Sequence, residues 1–303
     1  MNALPESMTV FERGWLSSNN VLFVDSERAT LIDTGYASHA QQTLALLRQK
    51  LGTRPLDTII NTHLHSDHCG GNALLQQTYA CETLIPSSEA RVVREWDEDA
   101  LTFRATGQRC ERFGFTGTID NGMTLTLGGI EWNVLGAPGH DPHSLMLHSP
   151  DARVLISADA LWENGFGVIF PELEGESGFA EERAVLELIA GLDVDIVIPG
   201  HGAPFSDVAR ALDIASSRLD YLQADPARNA KNALKVLIVF KLLDARSMTF
   251  EALLALTQQA RAMRAAADML GSPQTHRALL AKLIGELEKG GALKVNGDTI
   301  ISN

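Results

Sequence analysis

Three cysteines in 303 residues (Cys69, Cys81 and Cys110) are too few, and too irregularly spaced, for a disulfide framework; they fit a reducing compartment. No run of about 18 apolar residues occurs, so no membrane-spanning helix is expected. The start, Met1-Asn2-Ala3-Leu4-Pro5-Glu6, lacks the basic region and apolar core of a secretory signal, and a cytoplasmic protein is expected. A basic excess is also missing: the formal net charge is −13. Residues 229–303 carry ten Lys and Arg against six Asp and Glu, whereas residues 1–228 carry fifteen against thirty-two. An acidic body of that kind repels polyanions, so a small-molecule substrate is expected and a nucleic-acid partner is not.

What is present is a 45% hydrophobic chain, enough for one large domain and a small one. The densest chemistry lies in Asn61-Thr62-His63-Leu64-His65-Ser66-Asp67-His68-Cys69-Gly70-Gly71-Asn72, where four metal-capable side chains fall within six residues. The preceding Leu56-Asp57-Thr58-Ile59-Ile60 is β-branched and apolar and reads as a buried strand. Residues two apart point the same way on extended chain, so His63 and His65 converge on one ion. Asp67 and His68, on the following turn, face a second. Cys69 beside them reads as a small buried apolar residue.

The same placement recurs. Strands read at 8–11, 21–24 and 29–32, the third ending in Asp33-Thr34-Gly35, which makes Asp33 a candidate acceptor behind the metal histidines. The 123–127 and 130–135 strands form a hairpin about Gly128-Gly129 and lead to Ala137-Pro138-Gly139-His140. A strand at 153–156 leads to Asp159, and one at 195–198 to His201. Helices read at 38–51, after the His63 motif, at 86–89 onward and at 206–224. His39 is expected to face solvent and His148 to be structural. Strands alternating with helices indicate an α/β layered domain.

Seven donors (His63, His65, Asp67, His68, His140, Asp159 and His201) thus each follow a strand end. In this respect the chain resembles the metallo-β-lactamase superfamily, and its glyoxalase II-like hydrolase branch in particular, over roughly residues 8–210. All seven positions match the family pattern. The resemblance implies a four-layer αββα sandwich with the site at one edge of its two sheets. It also implies that His63, His65 and His140 hold one divalent ion, that Asp67, His68 and His201 hold another, and that Asp159 bridges them. Zn²⁺ is the expected metal, with Fe or Mn as alternatives. Such a pair lowers the pKa of a shared water toward neutrality and polarises the scissile group. Asp67 and Asp159 are accordingly the catalytic carboxylates, with Asp67 orienting the water. The expected reaction is hydrolysis of a small ester-like bond, thioester or lactone. The alternatives are a phosphodiesterase or ribonuclease of the same fold, a mononuclear-iron persulfide dioxygenase and a non-catalytic DNA-binding regulator. A β-lactamase is disfavoured, because members with that activity often place Cys where Asp159 stands and no secretion signal is read.

Three stretches are assigned by composition. Leu161 to Pro171 is aromatic and glycine-rich, and Trp162 and Phe166 are expected to wall a pocket. His143, one position before a further histidine that many members carry, is assigned to the substrate side. Residues 95–120 read as an insertion or lid, partly helical, whose aromatics and arginines suit a substrate wall. Domain boundaries are placed at 1–224 and 225–303. The second part reads as a helix at 233–243, another from Phe250 to about Met263, and a third around His276 to Lys289, approached through Gly271-Ser272-Pro273. A hairpin about Asn296-Gly297 follows. That pattern resembles a winged helix, read as a packing or homodimerisation module.

Overall fold

The computed structural model describes residues 4–272 and 275–303; Met1 to Ala3 and Pro273, named above, lie outside them. Short runs rich in Val, Ile, Leu and Thr make the first sheet. β1 (Met8–Phe11), β2 (Asn20–Val24) and β3 (Ala29–Ile32) pair antiparallel. α1 (Ala40–Leu51) then buries Leu44, Leu47 and Leu51 and stops at Gly52, whose φ of +61° suits glycine. β4 (Thr58–Ile60) joins β3 in parallel, buried along its length, as parallel strands covered on both faces are. α2 (Ser66–Cys69), α3 (Asn72–Tyr79), β5 (Glu82–Pro86), α4 (Ala90–Glu95) and β6 (Gly117–Ile119) complete a sheet of order β1-β2-β3-β4-β5-β6.

The second sheet has the order β11-β10-β9-β8-β7. It contains β7 (Thr124–Leu127), β8 (Ile130–Gly136), β9 (Leu145–Ser149), β10 (Val154–Ala158) and, after α5 (Phe179–Ala190), β11 (Ile196–Pro199). The two sheets pack face to face. Val21, Phe23, Ile32 and Ile60 of one meet Trp132, Val134, Leu147 and Ile156 of the other, and the Phe23 and Trp132 rings sit edge to face at 5.2 Å. α1 and α3 cover the outer face of the first sheet; α5 and α6 (Val208–Gln223) cover that of the second. The expected four-layer αββα order is therefore present. Among the described residues no helix is long and apolar enough to cross a membrane.

α7 (Pro226–Ala245) starts where Asp225 accepts a hydrogen bond from the Ala227 amide (3.2 Å), with Pro226 at the first helical position. β12 (Ser247–Thr249), α8 (Phe250–Gln259), α9 (Arg261–Leu270), α10 (His276–Lys289), β13 (Leu293–Asn296) and β14 (Thr299–Ser302) follow, with sheet order β12-β14-β13. The helix expected from Phe250 to about Met263 is in fact two. Ala260 is extended (ψ 118°), and beyond it the Ala262 amide donates to Ala105 O at 2.8 Å. A tertiary hydrogen bond, not a Gly or Pro, makes this break, so nothing local announces it. Leu234, Leu237, Ile238, Leu253, Met263 and Leu283 form one core that also takes in Val168 and Leu173 from the loop after β10.

The 95–120 segment also differs from expectation. It is turns rather than helix up to β6. Trp96, Phe103 and Phe113 pack on one another in a local core, and Arg104 and Arg109 are held by Glu98, Asp99 and Asp244. Its aromatics are consumed by its own folding, and only Thr102, Thr106 and Gln108 reach the large cavity described next.

Candidate metal centre

The C-terminal ends of β3 and β4 in one sheet, and of β8, β10 and β11 in the other, open on one edge. All seven donors collect there, each buried. The loop between β1 and β2 ties the two sides. The Ser18 amide donates to Asp67 O (3.0 Å) and the Asn19 amide to Gly200 O (2.7 Å), while Asn19 Nδ2 donates to Pro199 O (2.9 Å).

Two groups of donor atoms result, one of His63, His65 and His140 and one of Asp67, His68, Asp159 and His201, each within 4.8 Å internally. In the first, His65 Nδ1 lies 3.1 Å from His63 Nε2 and 2.8 Å from His140 Nε2. Outer nitrogens are tethered elsewhere: His140 Nδ1 donates to Val168 O (2.6 Å), and His65 Nε2 faces Asp141 Oδ2 (3.3 Å). With those protons on the outer nitrogens, lone pairs face one another at the centre, which is repulsive unless a cation sits between them. Tetrahedral coordination with bonds of about 2.0–2.1 Å brings donor atoms to a similar mutual spacing. In the second group, His68 Nδ1 donates to Asp33 Oδ2 (2.7 Å), and its Nε2 is buried with no hydrogen-bond partner. That nitrogen points at Asp159 Oδ1 (3.5 Å) and Asp67 Oδ2 (3.8 Å). Asp67 Oδ2 also meets His201 Nε2 (3.0 Å). Asp159 spans the groups, with Oδ2 3.3 Å from His140 Nε2 and Oδ1 4.0 Å from His201 Nε2. An inward-pointing orphan nitrogen beside two carboxylates is a donor set for a divalent cation, and the residues fit one in each group.

Titration follows the same division. Burial holds His63 well below its ordinary value, reinforced by His68 and His65, and lowers His140 to about 4, reinforced by His65; both are neutral, as ligands must be. Burial would also depress His68, but with no cation present the carboxylates of Asp33, Asp159 and Asp67 overrule it and hold it high, so a cation binding at Nε2 would have to displace that proton. Burial alone would raise Asp159 and Asp67. His68 and His201 instead keep both charged, and His140 adds to the effect on Asp159.

Asp33, expected behind the histidines, accepts from Thr62 N (2.9 Å) and Thr62 Oγ1 (2.8 Å) as well as from His68. Trp162 Nε1 donates to Asp159 Oδ1 (3.2 Å), and Trp162 and Phe166 both line a cavity of about 660 Å³ over the donors. His143 is not on that cavity. The Asp141 side chain caps its amide (2.7 Å), turning the ring toward Glu89 (3.4 Å) on a second, smaller cavity behind His65. His39 is half-buried against Ser17 Oγ (2.9 Å), not free in solvent, while His148 is buried in β9.

Three contributors were not singled out from the sequence, although Phe170 belongs to the aromatic stretch from Leu161 to Pro171. Trp15 stacks on His201 at 5.4 Å, and the Phe170 ring lies 5.4 Å from His65 and 5.6 Å from His140. Asp141, directly after His140, was the one that its neighbour could have flagged. Two glycines let backbone approach the donors. A Cβ on Gly167 would lie 2.4 Å from His140 Nδ1, and one on Gly200 would lie 2.1 Å from Asp159 Oδ1 and 3.1 Å from the Ala158 backbone. Gly200→Ala is therefore expected to push Asp159 aside. Turnover should fall by about 100-fold, the effect of an ångström-scale misplacement, with an unchanged circular dichroism spectrum. Wild-type rates in a folded variant would contradict it.

A profile described as the metallo-beta-lactamase superfamily matches residues 13–201 of this chain. A hydroxyacylglutathione hydrolase from Idiomarina loihiensis is 29% identical over 146 residues, which are 48% of this chain and 47% of that protein. The chain thus spans about half the length of that curated relative. An acyl-coenzyme A thioesterase from Bos taurus is 28% identical over 214 residues, 63% of this chain and 76% of that protein. Among solved structures, a metallo-beta-lactamase family protein from Thermus thermophilus superposes with a TM-score of 0.60 at 20% identity, covering 99% of this chain and 100% of the other. At that identity the likeness concerns fold alone.

Proposed function

Because the chain belongs to the metallo-beta-lactamase superfamily, we propose that it is a metal-dependent hydrolase that cleaves a thioester of a small molecule. The observation that carries this reading is the shared carboxylate: Asp159 stands between two buried donor groups at the floor of one cavity. His63, His65 and His140 would hold one divalent cation and Asp67, His68 and His201 a second, with Asp159 within reach of both. Zinc is the first candidate. When bound, such cations lower the pKa of coordinated water and polarise the scissile carbonyl. The protein's own groups do the rest. Asp33, Val168 O and Asp141 fix which imidazole nitrogens face inward. Asp67, on the cavity and held charged by His68 and His201, accepts a hydrogen bond from the attacking water and orients it; engaged as it is with His201, it is not a free base. Trp162 anchors Asp159 and, with Phe166, excludes water from the wall.

Thiol chemistry finds no support. All three cysteines are buried; burial pushes Cys81 up to about 11 and Cys69 well above its ordinary value. The thioester preference over lactone draws on the named activities of the two curated relatives. Residues 225–303 are proposed as a winged-helix-like packing module, not a nucleic-acid site. Six of its eleven Lys and Arg side chains are ion-paired, Lys231 and Lys235 with Glu286, Lys241 with Asp244, Arg277 with Glu251, Arg261 with Glu174 and Arg228 with Asp225, which lowers the positive charge left for a polyanion.

The test is to purify the chain without chelator, quantify its metals and assay thioesters, lactones, a chromogenic β-lactam and a bis-phosphodiester side by side. Thioester hydrolysis is expected to dominate, to fall to background on chelation and to return with added zinc. A preference for the phosphodiester, or one iron per chain with persulfide oxidation, would replace this reading.

A further inference from the structure

The cavity over the donors, at about 660 Å³, is larger than a thioester group and a short polar acyl fragment require. One of its walls is a face of α7. Asn232, Val236, Val239, Phe240 and Leu243 recur at helical spacing and line it. On the opposite side of the same helix, Leu234, Ile238 and Leu242 are fully buried in the C-terminal core. Val236, Val239, Phe240 and Leu243 are only partly buried. A helix with one face in a core normally turns a polar face outward; α7 instead presents mostly aliphatic and aromatic side chains to the cavity, with Asn232 and the Glu286-paired Lys235 as its polar members. This apolar wall begins at the donors, for the Phe240 ring lies 6.3 Å from the His201 ring, and Phe170 packs against His65. It continues past α7 to Leu287.

We propose that this face of α7 is an acyl subsite, so that the substrate is a thioester whose acyl group is an extended apolar chain. The proposal rests on the thioesterase reading and adds to it the identity of the acyl half. Burying one methylene contributes about 0.8 kcal/mol, or close to fourfold in affinity. A chain several carbons long against Phe240, Val239 and Val236 therefore outweighs a two-carbon acyl group by orders of magnitude.

The experiment holds the thiol constant. N-acetylcysteamine thioesters of acetate, hexanoate and decanoate are assayed with the metal-loaded full chain. The ratio of kcat/KM for decanoyl over acetyl is expected to exceed about 100, with hexanoyl between. Val239→Trp, which fills the wall, is expected to lower that ratio at least about tenfold; a folding defect would depress both substrates and leave the ratio unchanged. Val236→Phe is expected to act in the same direction. A ratio near one in the parent protein, or one that neither substitution alters, overturns the subsite. If no acyl length is hydrolysed, the thioesterase reading fails separately. The subsite is then judged by binding: decanoate, unlike acetate, should quench the fluorescence of Trp15 and Trp162, which line the same cavity, and an absence of quenching overturns it.

Discussion

Asp159→Ala is expected to lower turnover by about 10³-fold or more, equivalent to roughly 4 kcal/mol of transition-state stabilisation. The effect should exceed that of any other single donor, because this carboxylate alone reaches both groups, 3.5 Å from His68 Nε2 and 3.3 Å from His140 Nε2. Its charge is also held against burial by its neighbours. Burial opposes ionisation, and His68, His201 and His140 together overrule it. Removing it leaves His68 facing Asp67 alone across the cluster. Metal content per chain, measured by emission spectroscopy after dialysis, is expected to fall together with kcat. Asp159→Asn keeps the volume and the Trp162 contact but not the charge, and should fall between parent and alanine variant in metal content. An alanine variant with two metals and full turnover would refute the shared-carboxylate arrangement.

Asp33→Ala should produce the largest loss of stability among substitutions at the site. Three buried donors depend on that one carboxylate: the Thr62 amide, the Thr62 hydroxyl and His68 Nδ1–H. Leaving a buried donor unsatisfied costs about 1–3 kcal/mol, so a decrease of about 3–5 kcal/mol in denaturant unfolding is expected. Asp33 also adopts φ +56°, a left-handed conformation that Asp tolerates better than Ala. Loss of the His68 tether should weaken metal affinity by about 10–100-fold, read by competition with a chromophoric chelator. Asp33→Asn retains one acceptor oxygen and is expected to recover part of both effects. Equal stability of the alanine variant and the parent would mean that the Thr62 loop finds other acceptors.

How much of this was legible in the chain follows from the range of each interaction. The strands were readable because β-branched runs bounded by turn residues mark them locally, and β1, β3, β4 and β7 fall within two residues of where those runs lie, whereas the four-layer order came from the family resemblance. The donors were readable for a related reason: each follows a strand end, where polar side chains stand that a buried strand would not tolerate, although Asp67 and His68 sit in the short helix α2. Their division between two ions came from family resemblance, since spacing says nothing about which strand ends become neighbours.

Tertiary structure alone decided the surroundings of that cluster. Trp15, Phe170 and Phe240 reach the histidines from three unrelated segments; Phe170 lies in the Leu161 to Pro171 stretch that composition marked, but no local pattern distinguishes Trp15 and Phe240 from ordinary core or surface aromatics. The aromatics of residues 95–120 suited a substrate wall by composition yet turned inward, because that segment has to bury its own apolar surface before it can shape anything else. The cavity wall fell instead to α7, whose sequence reads simply as an apolar helix. Periodicity reports that a face is apolar; which neighbour covers it is set by how distant parts of the chain pack together.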